Sequence, residues 1–194
     1  MRRYVLTGTP GAGKTSILRC LGELGYGVVE EAATAVIARE QARGVDAPWT
    51  RASFVDEIVE LQRRRQLEAP VTGSVQVFDR SPVCTYALAR YLGRPVSTAL
   101  AAEIERITGE EIYERQVLFV RNLGFCEPTS ARRISFQESL VFERIHEESY
   151  HAFGYELIDI PVGDLAQRVA AVGSAISRPD LCTVRADFER PEPA

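Results

Sequence analysis

Gly8-Thr9-Pro10-Gly11-Ala12-Gly13-Lys14-Thr15 is the stretch from which the rest of the chain is read. It fits G-x-x-x-x-G-K-[ST], the P-loop or Walker A spacing. That spacing carries meaning only between a strand and a helix. Tyr4-Val5-Leu6-Thr7 before it is a short β-prone run, and Ser16-Ile17-Leu18-Arg19-Cys20-Leu21 after it continues as an amphipathic helix. In that setting the glycines let backbone N–H groups turn inward as an anion nest, and the helix N-terminus adds its partial positive charge. Lys14 is expected to reach the terminal phosphates and the Thr15 hydroxyl to hold Mg²⁺. The expected nucleotide cradle is therefore Gly8, Thr9, Pro10, Gly11, Ala12, Gly13, Lys14, Thr15 and Ser16. The chain lacks an N-K-x-D signature of guanine-specific switches, so ATP is the expected nucleotide.

Outward from this loop, β-prone runs fall over 3–7, 28–30, 75–79, 116–120 and 155–160. Helical spacing is expected over 14–24, from Glu31, over 53–67, from Pro82, from Ser97 or Thr98 to Ile107, over 133–152 and over 164–176. Gln116-Val117-Leu118-Phe119-Val120 is near-continuously apolar, as a strand buried on both faces should be. Strands separated by helices imply βαβ crossovers. The expected fold is an α/β, P-loop NTPase three-layer α/β/α sandwich with a mostly parallel five-stranded sheet. It should occupy 1–178, followed by a flexible tail over 179–194. Ligands on such sheets sit at the carboxyl ends of the strands, which lines up the P-loop, Glu30/Glu31, Asp79/Arg80 and the 121–133 loop along one rim.

The chain has 194 residues, enough for one domain with a substantial core. Its net charge of −4 argues against a general binder of nucleic acid or membrane surface. Cys20, Cys84, Cys126 and Cys182 are widely spaced, so neither a zinc site nor a disulfide framework is expected, and Cys20 and Cys84 read as buried thiols. No run is long enough to span a bilayer, and the apolar stretch behind Met1-Arg2-Arg3 is too short for a signal peptide. A reduced, cytoplasmic setting is the expectation.

Phosphoryl transfer needs a phosphate cradle, a metal, a group that orients the nucleophile, and positive charge on the moving phosphoryl. Asp79 ends an apolar strand, where a Walker-B-type carboxylate would meet Mg²⁺; the alternative is a cap for the Pro82 helix. Arg80 is either a surface arginine or a forked contact to substrate oxygens. Glu30 and Glu31 end the second strand, and strand parity turns only one of them to the cleft. Glu31 is preferred as the base, against two solvated glutamates favoured by a helix dipole. Arg132 and Arg133 are candidates to close over phosphates, against a plain basic surface pair. His146 and His151 read as structural, and Arg63-Arg64-Arg65 as a solvated face, with contact of one of them to an anionic substrate as the alternative. Trp49 reads as packing, with stacking on a base as the alternative.

Together Gly8 to Thr15, Val29-Glu30-Glu31-Ala32-Ala33, Pro48-Trp49, Val77-Phe78-Asp79-Arg80-Ser81 and Gly154-Tyr155-Glu156-Leu157 resemble the AAA-type P-loop ATPase/kinase group. That group is similar to the ribosylnicotinamide-kinase domain of the NAD-regulator family, and the likeness runs to about Ile176. In the related deoxynucleoside kinases a glutamate after the second strand is the base and an acidic-Arg-Ser motif ends the third. The resemblance places Glu31 (or Glu30) and Asp79-Arg80-Ser81 in those roles, with Arg133 or Arg132 as the lid arginine. Two positions depart from the AAA-type group. Thr34 stands where that group often has arginine, and Ser81 where it often has glycine.

The expected function is thus an ATP- and Mg²⁺-dependent kinase. Lys14, Glu31, Asp79, Arg80, Arg132 and Arg133 would be catalytic, Thr15 and Asp79 on the metal side, and a nucleoside- or nucleotide-like small molecule the acceptor. The alternative is an ATPase or nucleotide-dependent switch acting on a protein partner. Neither membrane nor nucleic acid is an expected partner, and pairing as a homodimer is left open.

Overall fold

The computed structural model describes residues 1–71, 73–125 and 134–177. Five strands form one parallel sheet: β1 (Arg2–Thr7), β2 (Gly27–Val29), β3 (Val75–Asp79), β4 (Gln116–Val120) and β5 (Glu156–Ile160). Their order is β2-β3-β1-β4-β5, so β1 lies at the centre between β3 and β4. Seven helices connect and cover the described strands: α1 (Lys14–Glu23), α2 (Ala32–Ala42), α3 (Phe54–Glu68), α4 (Pro82–Tyr91), α5 (Thr98–Gly109), α6 (Phe136–Ala152) and α7 (Leu165–Ser177). The expected α/β sandwich is observed.

Alternation along the strands builds two cores. Tyr4 and Leu6 of β1, Val75 and Val77 of β3 and Leu118 and Val120 of β4 face Ile17, Leu18 and Leu21 of α1 and Val172 and Ile176 of α7. Val5, Phe78 and Val117 point the other way, to Val83 and Cys84 of α4, Ile107 of α5 and Tyr150 of α6. Helices α2 and α3 pack on each other through Val36, Ile37, Phe54, Ile58 and Leu61.

Several boundaries differ from the sequence expectation, each for a local reason. Helix α1 runs through Gly22, and the chain turns at Gly25, whose φ of +88° suits glycine. Strand β2 stops at Val29, which leaves Glu30 outside it and Glu31 as the residue preceding α2. Ser97 caps α5 by accepting from the Leu100 N–H. Helix α6 is described from Phe136, not 133, because Ser135 and Glu138 form a reciprocal capping box. Cys20 is half-buried; Cys84 alone of the two described cysteines is buried. Thr72, 126–133 and 178–194 lie outside the described residues. Cys126, Cys182, Arg132, Arg133 and the 179–194 tail are therefore among the expectations that cannot be placed.

The loop after β1 depends on glycine at its first position. Gly8 has φ +132°, and a Cβ there would overlap the Val120 carbonyl oxygen at the end of β4. Gly8→Ala combines backbone strain with a clash against main chain, so it should cost about 3 kcal/mol or more. Chemical denaturation of the variant checks this; stability equal to the parent chain would contradict the close approach.

Candidate active site

The P-loop leaves β1 at Gly8 and enters α1 at Lys14. Gly8, Gly11 and Gly13 all take positive φ (132°, 87° and 79°), a backbone path that L side chains disfavour. Thr9 and Ala12 turn inward and are buried, while Pro10, Gly11, Gly13, Lys14, Thr15 and Ser16 line a cleft of about 540 Å³. Lys14 Nζ donates to the Thr9 carbonyl at 2.8 Å. The ammonium is buried beside the Arg80 guanidinium, and both effects lower its pKa to about 8.

The ends of β2 and β3 deliver the acidic and basic partners. Arg80 follows β3 directly, at a φ of +74° that is uncommon for any residue but glycine. Its N–H donates to the Leu6 carbonyl at 3.0 Å, extending the β1–β3 ladder by one bond. Its guanidinium Nε donates to Glu31 Oε1, and Nη1 meets His146 Nε2 at 3.3 Å. Thr34 Oγ1 donates to the other carboxylate oxygen, Glu31 Oε2, at 2.6 Å. Burial alone would raise the Glu31 pKa, but the Arg80 and Lys14 charges outweigh it and hold it at about 2. Between Glu30 and Glu31, the structure thus turns Glu31 to the cleft. Arg65 of α3 fixes the turn that carries it, donating from Nη1 to the carbonyls of Glu30 and Glu31 at 2.7 and 2.8 Å. Arg65 therefore does not belong to a wholly solvated face.

Asp79 is buried on the same rim. Burial raises its pKa, against the opposing pull of Lys14. Among the described residues its Oδ1 has no hydrogen-bond partner, and Ser81, not Asp79, occupies the position before α4 without capping it through its side chain. A buried carboxylate oxygen with spare lone pairs, facing a cleft that also contains Thr15, fits a hard cation or its water shell. No group of three or more His, Cys, Asp or Glu is assembled as a metal cage among the described residues.

Beyond Glu31 and Arg80 the cleft changes character. Trp49, Phe54, Ile58, Leu88, Tyr91 and Phe142 wall it, and Gln62 and Thr85 supply polar groups. Thr85 Oγ1 donates to Gln62 Oε1 at 2.9 Å, so the hydroxyl spends its proton on the amide oxygen and leaves the amide N–H groups unengaged by that bond. Trp49 sits in a short 3-10 turn, Pro48–Thr50, pinned by Arg94, which donates to the Trp49 and Arg51 carbonyls. Arg51 in turn donates to the buried Glu40 of α2 at 2.7 Å.

Three residues reach the site without any motif. His146 of α6 braces Arg80. Arg168 of α7 is 4% exposed and donates from Nη2 to the Ala12 carbonyl; a Cβ on Gly13 would lie 2.8 Å from its Nη1. Asn122, just past β4, donates to Ser139 Oγ at 3.2 Å and approaches Thr9 Oγ1 at 3.5 Å. A charged residue on the apolar face of α7 is the one signal that marked Arg168 in the sequence.

Comparison with known proteins agrees with this architecture. A family model described as an AAA domain matches residues 3–168, and the chain belongs to that family. No match is found among curated proteins. Deoxyadenosine kinase from M. mycoides with bound dATP is similar in structure, with a TM-score of 0.59 and 16% identity over 91% of this chain and 100% of that one. NadR protein in complex with NR has a TM-score of 0.66 and 14% identity over 89% of this chain and 50% of NadR. NadR in complex with NAD and AMP-PNP gives 0.64 and 16%, over 89% and 49%. At these identities the likeness shows the fold. No described helix is long and apolar enough to cross a membrane.

The Glu31–Arg80 pair has a pH signature. A carboxylate whose folded pKa is depressed stabilises the fold above its unfolded value near 4.3, and that contribution is lost as pH falls toward the folded value. Glu31→Gln imitates the protonated side chain at every pH. The melting temperature of the parent chain should exceed that of Glu31→Gln at pH 6, with the gap narrowing to about half by pH 3 and closing only below the folded pKa of about 2. A pH-independent gap in thermal melts would contradict the pairing.

Proposed function

We propose that this member of the AAA domain family is an ATP-dependent phosphotransferase that moves the γ-phosphoryl of ATP to a hydroxyl or phosphate of a small nucleoside- or nucleotide-like molecule. One observation carries the reading. A single cleft joins the P-loop to an aromatic-walled compartment, and Glu31 and Arg80 stand at the junction. A nucleotide switch needs the first compartment and has no use for the second. The shared fold with a deoxyadenosine kinase and with NadR holding NR supports the same reading.

In this reading Lys14 leaves the Thr9 carbonyl for the β- and γ-phosphates. Thr15 and Asp79 would hold Mg²⁺, which would offset phosphate charge. Arg80 binds acceptor or phosphate oxygens with the N–H groups not committed to Glu31. Glu31 accepts the hydrogen bond of the acceptor hydroxyl in place of Thr34. The hydroxyl oxygen forms its bond to the γ-phosphorus, the bond to the β-phosphate bridging oxygen breaks, ADP leaves, and the proton passes to Glu31. A carboxylate near a pKa of 2 is a weak base. Bound phosphates would draw off the field of Lys14 and Arg80 and so raise its basicity. The aromatic walls and the Gln62 amide suit a flat ring bearing hydrogen-bonding groups. A reducing, cytoplasmic setting belongs to the same reading and rests on the wide spacing of the four cysteines in the sequence.

The experiment is a screen for γ-phosphoryl transfer across nucleosides, nucleotides, ribosylnicotinamide and sugars. Lys14→Ala should abolish ATP turnover. Glu31→Gln should retain ATP binding while transfer falls by roughly 10²–10⁴-fold. Undiminished transfer by either variant would contradict these roles. Nucleotide-dependent partner binding with no phosphorylated product would favour the switch.

A further inference from the structure

We infer that His146 is a positioning residue for Arg80, a neutral acceptor that sets the guanidinium so that Nε meets Glu31 while the rest of the fork faces the cleft. The inference rests on the transfer role given to Arg80 above, and its geometry stands independently. Arg80 sits at φ +74°, a costly backbone conformation for a non-glycine residue, and its long side chain loses rotamer freedom when it is fixed in one orientation. Glu31 supplies one support and His146 the other, at 3.3 Å from Nη1.

The chemistry allows only one form of the imidazole. A guanidinium carries N–H donors and no acceptor, so His146 Nε2 must present its lone pair. His146 Nδ1 lies 2.9 Å from the Phe142 carbonyl, which can only accept, so Nδ1 carries the proton. The ring has no freedom to swap roles. It is fully buried and packs edge-on against the Phe142 ring at 4.2 Å. Phe142 is itself held by Tyr91 at 4.7 Å, and both line the apolar end of the cleft. Burial and the neighbouring Arg80 charge push the His146 pKa down to about 3, in keeping with a neutral ring.

Neutrality is what the position requires. A carboxylate there would compete with Glu31 for Arg80, and a cation would repel it beside Lys14. An imidazole lone pair orients Arg80 without changing the charge around the phosphates. The tautomer acting on Arg80 is selected by the Phe142 main-chain carbonyl, one turn earlier on α6.

The test uses the full chain. Nitrogen-15 NMR of labelled histidine at neutral pH should show His146 protonated on Nδ1 alone; an Nε2–H tautomer or an imidazolium would overturn the assignment. Exchange of the Arg80 Nε–H should be slow in the parent chain, still slow in His146→Gln, which keeps an acceptor, and fast in His146→Phe, which does not. In transfer kinetics His146→Phe should lose on the order of tenfold in kcat with KM for ATP unchanged, while His146→Gln stays within a few-fold of the parent. Equal kcat in the two variants would overturn the proposal. Should His146→Phe fail to fold, the tautomer and the Arg80 exchange rate in His146→Gln decide. If the parent chain transfers phosphate to no acceptor, the kinase reading fails, and the two NMR readouts still judge the role of His146.

Discussion

Arg80 and Lys14 put two cations side by side in a buried cleft, and such charges must be compensated where they stand. Glu31 is the compensation. Its half-buried carboxylate takes the Arg80 Nε–H and remains ionised, while Asp79 adds a second carboxylate nearby. Most of the site's architecture serves this group of four. Arg65 holds the Glu31 turn by two carbonyls, His146 orients Arg80 from α6, and the Leu6 carbonyl ties the Arg80 backbone to β1.

The strand order explains why the four meet. Strand β1 lies between β3 and β4, and β2 lies on the far side of β3. The carboxyl ends of β1, β3 and β2 thus deliver the P-loop, Asp79-Arg80 and Glu31 to adjacent places on one rim, as open parallel sheets do. Registers such as Leu6↔Asp79 and Val29↔Phe78 end these strands nearly level. The helical layer then extends the cleft: α2, α3 and α4 close the aromatic compartment, and α6 adds Phe142 to its wall and sets His146 against Arg80.

The sequence made legible what is encoded by short spacing. Gly8 to Thr15, the strand 75–79 and the Asp79-Arg80 step are contiguous, so the loop and the strand end follow from the residues themselves, while the positive φ of Arg80 carried no sequence signal. Glu31 is preferred to Glu30 on strand parity, but β2 stops at Val29, so both lie beyond the strand and Glu31 faces the cleft as the residue preceding α2. The start of α6 was readable in principle, since Ser135-Phe136-Gln137-Glu138 has the S-x-x-E capping-box spacing. His146 and Arg168 were not readable. They reach Arg80 and Ala12 across 66 and 156 residues of chain, and a buried histidine or arginine on a helix carries no local mark of its long-range partner. The arginine triplet misled because Arg65 alone of the three turns back onto the Glu31 turn.

The central claim is that Glu31 and Arg80 act as one unit at the junction of the two compartments. A double-mutant cycle on kcat/KM for phosphoryl transfer, with Glu31→Gln, Arg80→Gln and both together, tests it most directly. The account predicts strong non-additivity, with the double variant within a few-fold of the worse single variant, because either change already dismantles the pair. Losses that multiply across the two sites would show independent residues and contradict it.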